Sequence, residues 1–124
     1  MNFLIPFLPE RSSKPRQNGV TMVMDKGLGI NQASDLISTA AHLVDFVKLG
    51  FGTSYITGNL EEKIKIYHNA GLNVYFGGTL FEAFLIRKKF EDFLRVVDKY
   101  KLNTIEISDG SANINHDIKC EIIN

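Results

Sequence analysis

The sequence predicts an α/β fold of the (β/α)₈ TIM-barrel type, of which this chain carries the first four βα units. Four segments of strand character begin 26, 27 and 30 residues apart, and each is followed by polar residues and glycine: residues 20–25, 46–50, 73–77 and 103–108. An amphipathic stretch of helical period separates each pair, which is the spacing of parallel strands joined by crossover helices. No segment marks the reversal of strand order that a doubly wound sheet needs, so the pattern favours a barrel.

The first two units carry recognisable helix signals. After the first strand, Asn31 or Ser34 is expected to cap a helix that runs to about Leu43. After the second strand, Asn59 is expected to cap a helix that ends at Gly71. Both helices have apolar residues at helical spacing, so each is predicted to pack one face against the sheet.

The third unit is longer than the first two. Thr79 is expected to open its helical region, with Glu82 completing a capping box three residues later. The region runs to about Lys101 and is predicted to break into two helices at residues 87–89, where three basic residues follow one another. After the fourth strand, residues 112–124 are predicted to form a loop and the start of another helix.

Length sets the expected domain organisation. A (β/α)₈ barrel usually takes about 250 residues, so residues 1–124 are expected to be the amino-terminal half of a single barrel domain, with residues 1–19 as an irregular lead-in. An open half-barrel exposes two sheet edges, which proteins normally avoid. The chain is therefore expected to be a truncated fragment or to associate with another chain, most simply as a homo-oligomer.

Composition argues against several classes of partner. Fourteen Lys and Arg residues balance fourteen Asp and Glu residues, so neither nucleic acid nor a membrane surface is expected as a partner. No stretch approaches the ~18 apolar residues of a membrane span, and the apolar residues 3–8 are too few for a signal core. The single cysteine, Cys120, has no disulfide partner within the chain, which favours a cytoplasmic location.

Strand alternation places unusual charges inside the predicted barrel. On the second strand, Val47 and Leu49 suit the helix-covered face, which sends Lys48 inward. On the fourth strand, the same alternation sends Glu106 and Ser108 inward. Barrel interiors normally carry branched apolar residues, so these charges indicate either a functional site or a buried structural ion pair.

Polar groups at the strand ends are each open to two interpretations. Asp25 falls at the carboxyl end of the first strand, beside Lys26. Asp109 precedes a glycine and is either a turn former or a metal ligand. Residues 77–79, Gly-Gly-Thr at a helix start, either cradle an anion with backbone N–H groups or allow close packing of strand and helix.

Several ungapped strings, spread over residues 14–111, resemble those of the phosphosulfolactate synthase family. They are Lys14-Pro-Arg16, Gly19-Val-Thr21, Met24 to Gly29, Asp45 to Ser54, Val74 to Glu82 and Ile105 to Ser111. The resemblance implies a (β/α)₈ barrel that adds sulfite to phosphoenolpyruvate with Mg²⁺, giving 2-phospho-3-sulfolactate for coenzyme M or sulfolactate biosynthesis. The family also includes plant heat-stress proteins without a clear enzymatic role.

For this reaction, the resemblance implies roles for residues at the strand ends. Glu106 is the first expected Mg²⁺ ligand, with Asp25 and Asp109 behind it. Lys48 or Lys26 is expected to protonate C2 of the substrate. The expected contacts to the anionic substrates, phosphoenolpyruvate and sulfite, are Lys14, Arg16, Gly77, Gly78, Thr79 and Ser108.

Two other functions stay open at this stage. One is a non-catalytic homologue that acts through association with another chain. The other is an aldolase-like barrel enzyme that acts on phosphorylated carbonyl compounds, with Lys48 forming a Schiff base.

Overall fold

The chain forms an α/β arrangement on a parallel three-stranded sheet in the order β1-β2-β3, seen in a computed structural model that describes residues 3–124. The strands are β1 (Met22–Asp25), β2 (Phe46–Leu49) and β3 (Asn73–Phe76). The helices are α1 (Ile30–Ala40), α2 (Leu60–Asn69), α3 (Gly78–Leu85), α4 (Phe90–Lys99) and α5 (His116–Ile123), with 3₁₀ turns at Ala41–Leu43 and Gly50–Tyr55. None of the helices in this part of the chain has both the length and the apolar character that crossing a bilayer requires. The predicted α/β class is confirmed.

The sheet has one face buried under helices and one face that is partly open. Val47 on β2 pairs with Val74 on β3, and both side chains are almost completely buried. Because successive side chains of a strand point to opposite faces, Met24, Lys48 and Tyr75 lie on the other face, at one level across the three strands. The predicted direction of Lys48, away from the helices, is confirmed.

Aromatic side chains pack the core between the sheet and the helices. Phe81 on α3 contacts Phe90 and Phe93 on α4 edge to face, with ring centroids 6.1 and 5.8 Å apart. Such pairs contribute about 0.5–1.5 kcal/mol beyond the burial of their area. The two helices therefore form one packed unit although the chain breaks between them.

The predicted start and end of α2 and the predicted break before α4 are confirmed. α2 follows Asn59, and Gly71 lies just beyond its end with a φ of +70°, which glycine adopts without steric strain. The predicted break at residues 87–89 separates α3 from α4, with Lys88 at φ +57°. A left-handed residue interrupts the helical hydrogen bonds and lets α4 turn to pack beside α3.

The predicted cap of α1 is wrong. The helix begins at Ile30 with Gly29 as its N-cap, so neither Asn31 nor Ser34 caps it. The side chain of Gln32 instead accepts a hydrogen bond from the Gly29 N–H group (3.0 Å). A glutamine three residues after the N-cap can reach back in this way, and the helix therefore starts one residue before the first predicted cap.

The predicted fourth strand is not a strand in the described residues. Residues 103–108 form no ladder with the sheet, so the sheet has three strands instead of four. Their side chains still alternate, since Ile105 and Ile107 pack against the core while Glu106 and Ser108 make hydrogen bonds to α3. The segment is attached to the fold through side chains rather than through backbone pairing.

The amino-terminal segment is tied to the amino edge of the sheet. Its described residues, 3–19, contain neither helix nor strand, and residues 1–2 of the predicted lead-in lie outside the described part. Arg16 donates a hydrogen bond to Asp45 (2.7 Å), which directly precedes β2. Lys14 donates to the carbonyl oxygen of Ala41 (2.9 Å). Both cations are therefore held at the edge where the strands begin.

Candidate active site at the carboxyl edge of the sheet

An ion pair between Lys48 and Glu106 forms the centre of the site. Lys48 Nζ lies 2.6 Å from Glu106 Oε1, and the two side chains are 17% and 29% exposed. The other oxygen, Oε2, accepts a hydrogen bond from the backbone N–H group of Gly78 (3.1 Å). Burial, followed by the charge of Glu106, raises the pKa of the neighbouring Tyr75. The two inward charges that alternation predicted on separate strands thus meet in one place.

The start of α3 explains the two consecutive glycines. A Cβ on Gly78 would overlap the side chain of Ser108, and one on Gly77 would lie 3.0 Å from both the Leu49 carbonyl oxygen and Lys48 Cε. The predicted alternative of close packing therefore describes these glycines. The predicted cradle for an external anion is already used in part, because the Gly78 N–H group binds the protein's own Glu106 carboxylate.

A cleft of about 220 Å³ opens beside the ion pair. It is lined by Met24, Lys48, Phe51, Gly78, Thr79, Glu82, Glu106, Ser108, Gly110 and Ser111. Within this lining, the Thr79 and Ser111 hydroxyl groups lie 3.2 Å apart. Drug-sized ligands occupy pockets of about 300–1,000 Å³, so this cleft suits a smaller molecule. The Lys48 cation and the hydroxyl groups of Thr79 and Ser111 in its lining suit an oxyanion.

Lys26 lies at the rim of this cleft rather than in it. Its Nζ is 5.6 Å from the centre of the Phe51 ring, which lines the cleft. Phe51 and Gly52 follow β2 with φ angles of +54° and +69°, and these two left-handed residues turn the chain so that the ring projects outward. A cation over an aromatic face is attracted electrostatically. This contact holds the Lys26 ammonium group near the opening.

Asp25 lies in a buried cluster on the helix-covered face. Its carboxylate binds Lys63 Nζ (2.9 Å), the Tyr67 hydroxyl (2.9 Å) and the N–H groups of Gly27 (2.8 Å) and Leu28 (2.7 Å). Burial alone would raise the pKa of Asp25, but the hydrogen bonds from Lys63, Leu28, Gly27 and Tyr67 outweigh it and lower the pKa. The carboxylate is fully used on the far side of the sheet, so the structure does not bring it to Glu106.

Asp109 is also engaged away from the ion pair. Its carboxylate, half-exposed, forms a salt bridge with Lys119 of α5. The hydrogen bond from Lys119 and the charge of that lysine hold the pKa of Asp109 below its ordinary value. Asp109 therefore links the end of the extended segment to α5.

Lys14 and Arg16 lie at the opposite edge from the cleft. Arg16 is 5% exposed in its pair with Asp45, beside the start of β2, whereas the cleft is at the carboxyl ends of the strands. Burial acts to raise the pKa of Asp45, but the Thr21 N–H group and Arg16 lower it. The structure thus separates the predicted substrate contacts Lys14 and Arg16 from the cleft, because the lead-in packs against the amino edge.

The three carboxylates predicted to bind Mg²⁺ do not converge. In residues 3–124, no group of three or more His, Cys, Asp or Glu side chains is placed to hold a metal ion. Of the three, only Glu106 lines the cleft. Magnesium usually takes one or two protein carboxylates and completes its shell with substrate oxygens and water. Glu82 also lines the cleft, but backbone N–H groups already occupy its oxygens, so the described residues fit a magnesium site with Glu106 as its single protein carboxylate.

Three buried polar residues were not predicted from the sequence to belong to a buried polar contact. Lys63 and Tyr67 belong to the Asp25 cluster, and burial, followed by the charge of Asp25, raises the pKa of the Tyr67 hydroxyl. Lys63 falls in the buried stripe of α2 between Leu60 and Ile64, and a lysine at such a position was the available signal. Glu82 similarly interrupts an apolar run in α3, and its predicted capping box is wrong because Gly77 is the cap.

Comparison with known proteins identifies relatives along most of the chain. The family pattern described as (2R)-phospho-3-sulfolactate synthase (ComA) matches residues 9–124. A phosphosulfolactate synthase of Methanothermobacter thermautotrophicus is 38% identical over 125 residues, which cover 99% of this chain and 48% of the relative. The phosphosulfolactate synthase of Bacillus subtilis is 38% identical over 116 residues, which cover 94% of this chain and 46% of the relative. That of Methanocaldococcus jannaschii is 42% identical over 100 residues, which cover 79% of this chain and 40% of the relative.

The chain spans about half the length of the curated relatives it matches. The matched residues include the ion pair, the start of α3 and the extended segment that follows α4. The resemblance that the sequence strings indicated is thus confirmed. This chain belongs to the (2R)-phospho-3-sulfolactate synthase family.

Proposed function

We propose that this chain carries one part of the active site of an enzyme that adds sulfite to phosphoenolpyruvate, within a (β/α)₈ barrel. The observation that carries the proposal is the Lys48–Glu106 pair (2.6 Å) in a small cleft at the carboxyl ends of the strands. Barrel enzymes place their catalytic groups at that edge. Family membership supports the reaction class, since the relatives named above are phosphosulfolactate synthases.

The proposed reaction needs a proton donor near C2 of the substrate. The sulfur lone pair of sulfite attacks C3 and forms the C–S bond, while the π electrons of the double bond move toward C2 and the carboxylate. Lys48 delivers a proton to C2, and solvent returns a proton to Lys48. The net change is the addition of sulfite and one proton across the double bond. Glu106 holds Lys48 Nζ in position for this transfer.

Charge neutralisation completes the proposal. Glu106 is the residue that would hold Mg²⁺, and the bound ion would stabilise negative charge on the substrate carboxylate. Thr79 and Ser111 supply hydroxyl groups in the cleft lining, and Lys26 supplies a cation at the rim. Lys14 and Arg16 have a structural role here, because their partners lie at the other edge of the sheet.

The test is a chimera in which this chain replaces the matching segment of the Bacillus subtilis relative. Formation of phosphosulfolactate from sulfite and phosphoenolpyruvate, with Mg²⁺, is followed by ³¹P NMR. Losing a general acid typically lowers kcat by about 10²- to 10⁴-fold, so Lys48→Met is expected to do so. Lys65→Met is the matched control, because Lys65 is 66% exposed on α2. Turnover that survives both Lys48→Met and Glu106→Gln contradicts these roles.

Borohydride trapping of a carbonyl substrate on Lys48 would instead support the aldolase-like alternative.

The exposed side chains and unpaired edge of β1 support a second proposal, that copies of this chain associate. Met22 and Met24 on β1 are 46% and 37% exposed on the open face of the sheet. Among the described residues, β1 has β2 as its only strand neighbour, so its other edge is unpaired. Open edges and exposed apolar side chains promote pairing between chains. Sedimentation velocity at micromolar concentration tests this, and a monomer for both the natural chain and Met22→Lys speaks against it.

A further inference from the structure

A buried carboxylate on α3 holds the loop formed by residues 108–112. Glu82 is 2% exposed, and its two oxygens accept four hydrogen bonds from this loop. One donor is the Ser108 hydroxyl. The others are the N–H groups of Gly110 (3.0 Å), Ser111 (2.7 Å) and Ala112 (2.5 Å). A single side chain therefore binds the loop at four of its five residues.

The loop's backbone N–H groups form an anion-binding site, and the protein's own Glu82 carboxylate occupies it. Successive backbone N–H groups that point to one place form a concavity that binds anions in other proteins. In residues 3–124, Glu82 forms no salt bridge, so hydrogen-bond donors alone satisfy its buried carboxylate. Replacing the carboxylate by an amide thus leaves no buried cation behind, and the effect of the replacement falls on the loop.

The loop that Glu82 holds forms one wall of the cleft. Ser108, Gly110 and Ser111 all line the cleft, and the Ser111 hydroxyl lies 3.2 Å from that of Thr79 on α3. Glu106, two residues before Ser108, is itself bound to the start of α3 through Gly78. The extended segment is therefore attached to α3 at two levels, by Glu106 at the first turn and by Glu82 at the second.

We propose that Glu82 is a positioning residue that holds the 108–112 loop so that the Ser111 hydroxyl group faces an oxyanion substrate beside Lys48. This rests on the proposed function for the identity of the substrate, but the placement of the loop does not. Glu82 has no donor hydrogen to offer an anion and acts through Ser111, because the single hydroxyl hydrogen of Ser108 is donated to Glu82 itself. It differs in this from Lys48, which is expected to transfer a proton.

Amide hydrogen exchange on the 124-residue chain tests the placement directly. Glu82→Gln keeps the shape but turns one acceptor oxygen into an NH₂ group, which faces backbone N–H donors. We expect the amides of Gly110, Ser111 and Ala112 to exchange at least tenfold faster, with the amides of β2 and β3 unchanged. Glu62→Gln, at an exposed position of α2, is the matched control. Unchanged exchange at the three amides overturns the proposal.

A second variant separates positioning from a general loss of stability. Faster exchange throughout the sheet in Glu82→Gln would leave Glu82 with a merely structural role and would overturn the proposal as well. Ser108→Ala removes one of the four donors and leaves the carboxylate with three N–H groups. If Glu82→Gln does not fold, Ser108→Ala must still speed exchange at Gly110 and Ser111 without affecting β2. No change there contradicts the placement.

The chimera supplies a functional measurement. Glu82→Gln is expected to raise KM for phosphoenolpyruvate at least tenfold with a smaller change in kcat, whereas Lys48→Met lowers kcat. A KM that stays within twofold contradicts the link to substrate binding. A wild-type chimera that makes no product counts against the proposed function, and the exchange experiment still decides whether Glu82 positions the loop.

Discussion

Lys63→Met is the perturbation for which the structure gives the sharpest expectation. Lys63 is 1% exposed, and its Nζ binds both the Asp25 carboxylate (2.9 Å) and the Leu28 carbonyl oxygen (2.9 Å). Methionine fills similar volume without the charge. The substitution therefore leaves the Asp25 carboxylate buried without its cation and removes one hydrogen bond from Leu28.

The expected loss follows from what remains around Asp25. Removing one partner of a buried ion pair destabilises a protein by about 3–5 kcal/mol. Asp25 keeps three donors, the N–H groups of Gly27 and Leu28 and the Tyr67 hydroxyl, which favours the lower end of that range. We expect Lys63→Met to lower the free energy of unfolding by about 3 kcal/mol. That is a large share of the ~5–15 kcal/mol that stabilises ordinary domains.

The double variant Asp25→Asn/Lys63→Met tests the reasoning behind this value. The Asn oxygen still accepts from Gly27 and Leu28, its NH₂ group can donate to the Tyr67 oxygen, and no charge is buried. The double variant should therefore lose only about 1–2 kcal/mol and be more stable than Lys63→Met alone. Urea unfolding followed by circular dichroism at pH 7 measures both differences. A double variant no more stable than the single one refutes the reasoning, as does a single loss below 1 kcal/mol.

Three other predictions concern stability. The pKa of Asp25 is lowered from 3.8 on folding, so its contribution to stability is complete above pH ~4 and is lost as the pH falls through the folded-state pKa. Urea midpoints between pH 7 and pH 2 should show this decline, and the decline should be smaller in Asp25→Asn/Lys63→Met, where Asp45 with its lowered pKa still contributes; an equal decline in both contradicts this. Gly78→Ala should destabilise by about 1–3 kcal/mol because its Cβ would overlap a neighbouring serine, whereas Gly58→Ala, with nothing within 4 Å, should change little; equal melting temperatures contradict this. Arg16→Met should lower the free energy of unfolding by about 2 kcal/mol, because the hydrogen bond from Arg16 to Asp45 is lost, and it should leave phosphate binding in NMR titrations unchanged. Weaker phosphate binding without a loss of stability would instead support the predicted substrate role of Arg16.

The Lys48–Glu106 ion pair was predicted in part from local sequence pattern. Lys48 and Glu106 are 58 residues apart in the chain, yet strand alternation predicted that both point away from the helices. The rule held for Glu106 even though its segment forms no ladder with the sheet. Alternation follows from the extended backbone itself, so it survives when pairing does not.

Strand alternation explains why Asp25 does not lie beside Glu106. It is two residues after Val23, which packs against the core, so alternation places Asp25 on the helix-covered face. Its position at a strand end suggested a ligand instead. The signal for its true environment was Lys63, a charge within the buried stripe of α2.

Periodicity, glycine positions and motif strings were enough to predict the α/β class, the helix breaks, the family and the direction of Lys48, because each depends on neighbours within a few residues. The fate of each carboxylate depends on contacts made across the fold: Asp25 with Tyr67, 42 residues away, and Glu82 with the loop 28 to 30 residues later. Each carboxylate binds the donors that the fold brings to it. Only the tertiary structure could therefore decide that Glu106 lies in the cleft beside Lys48, while Asp25 and Glu82 hold the protein's own loops.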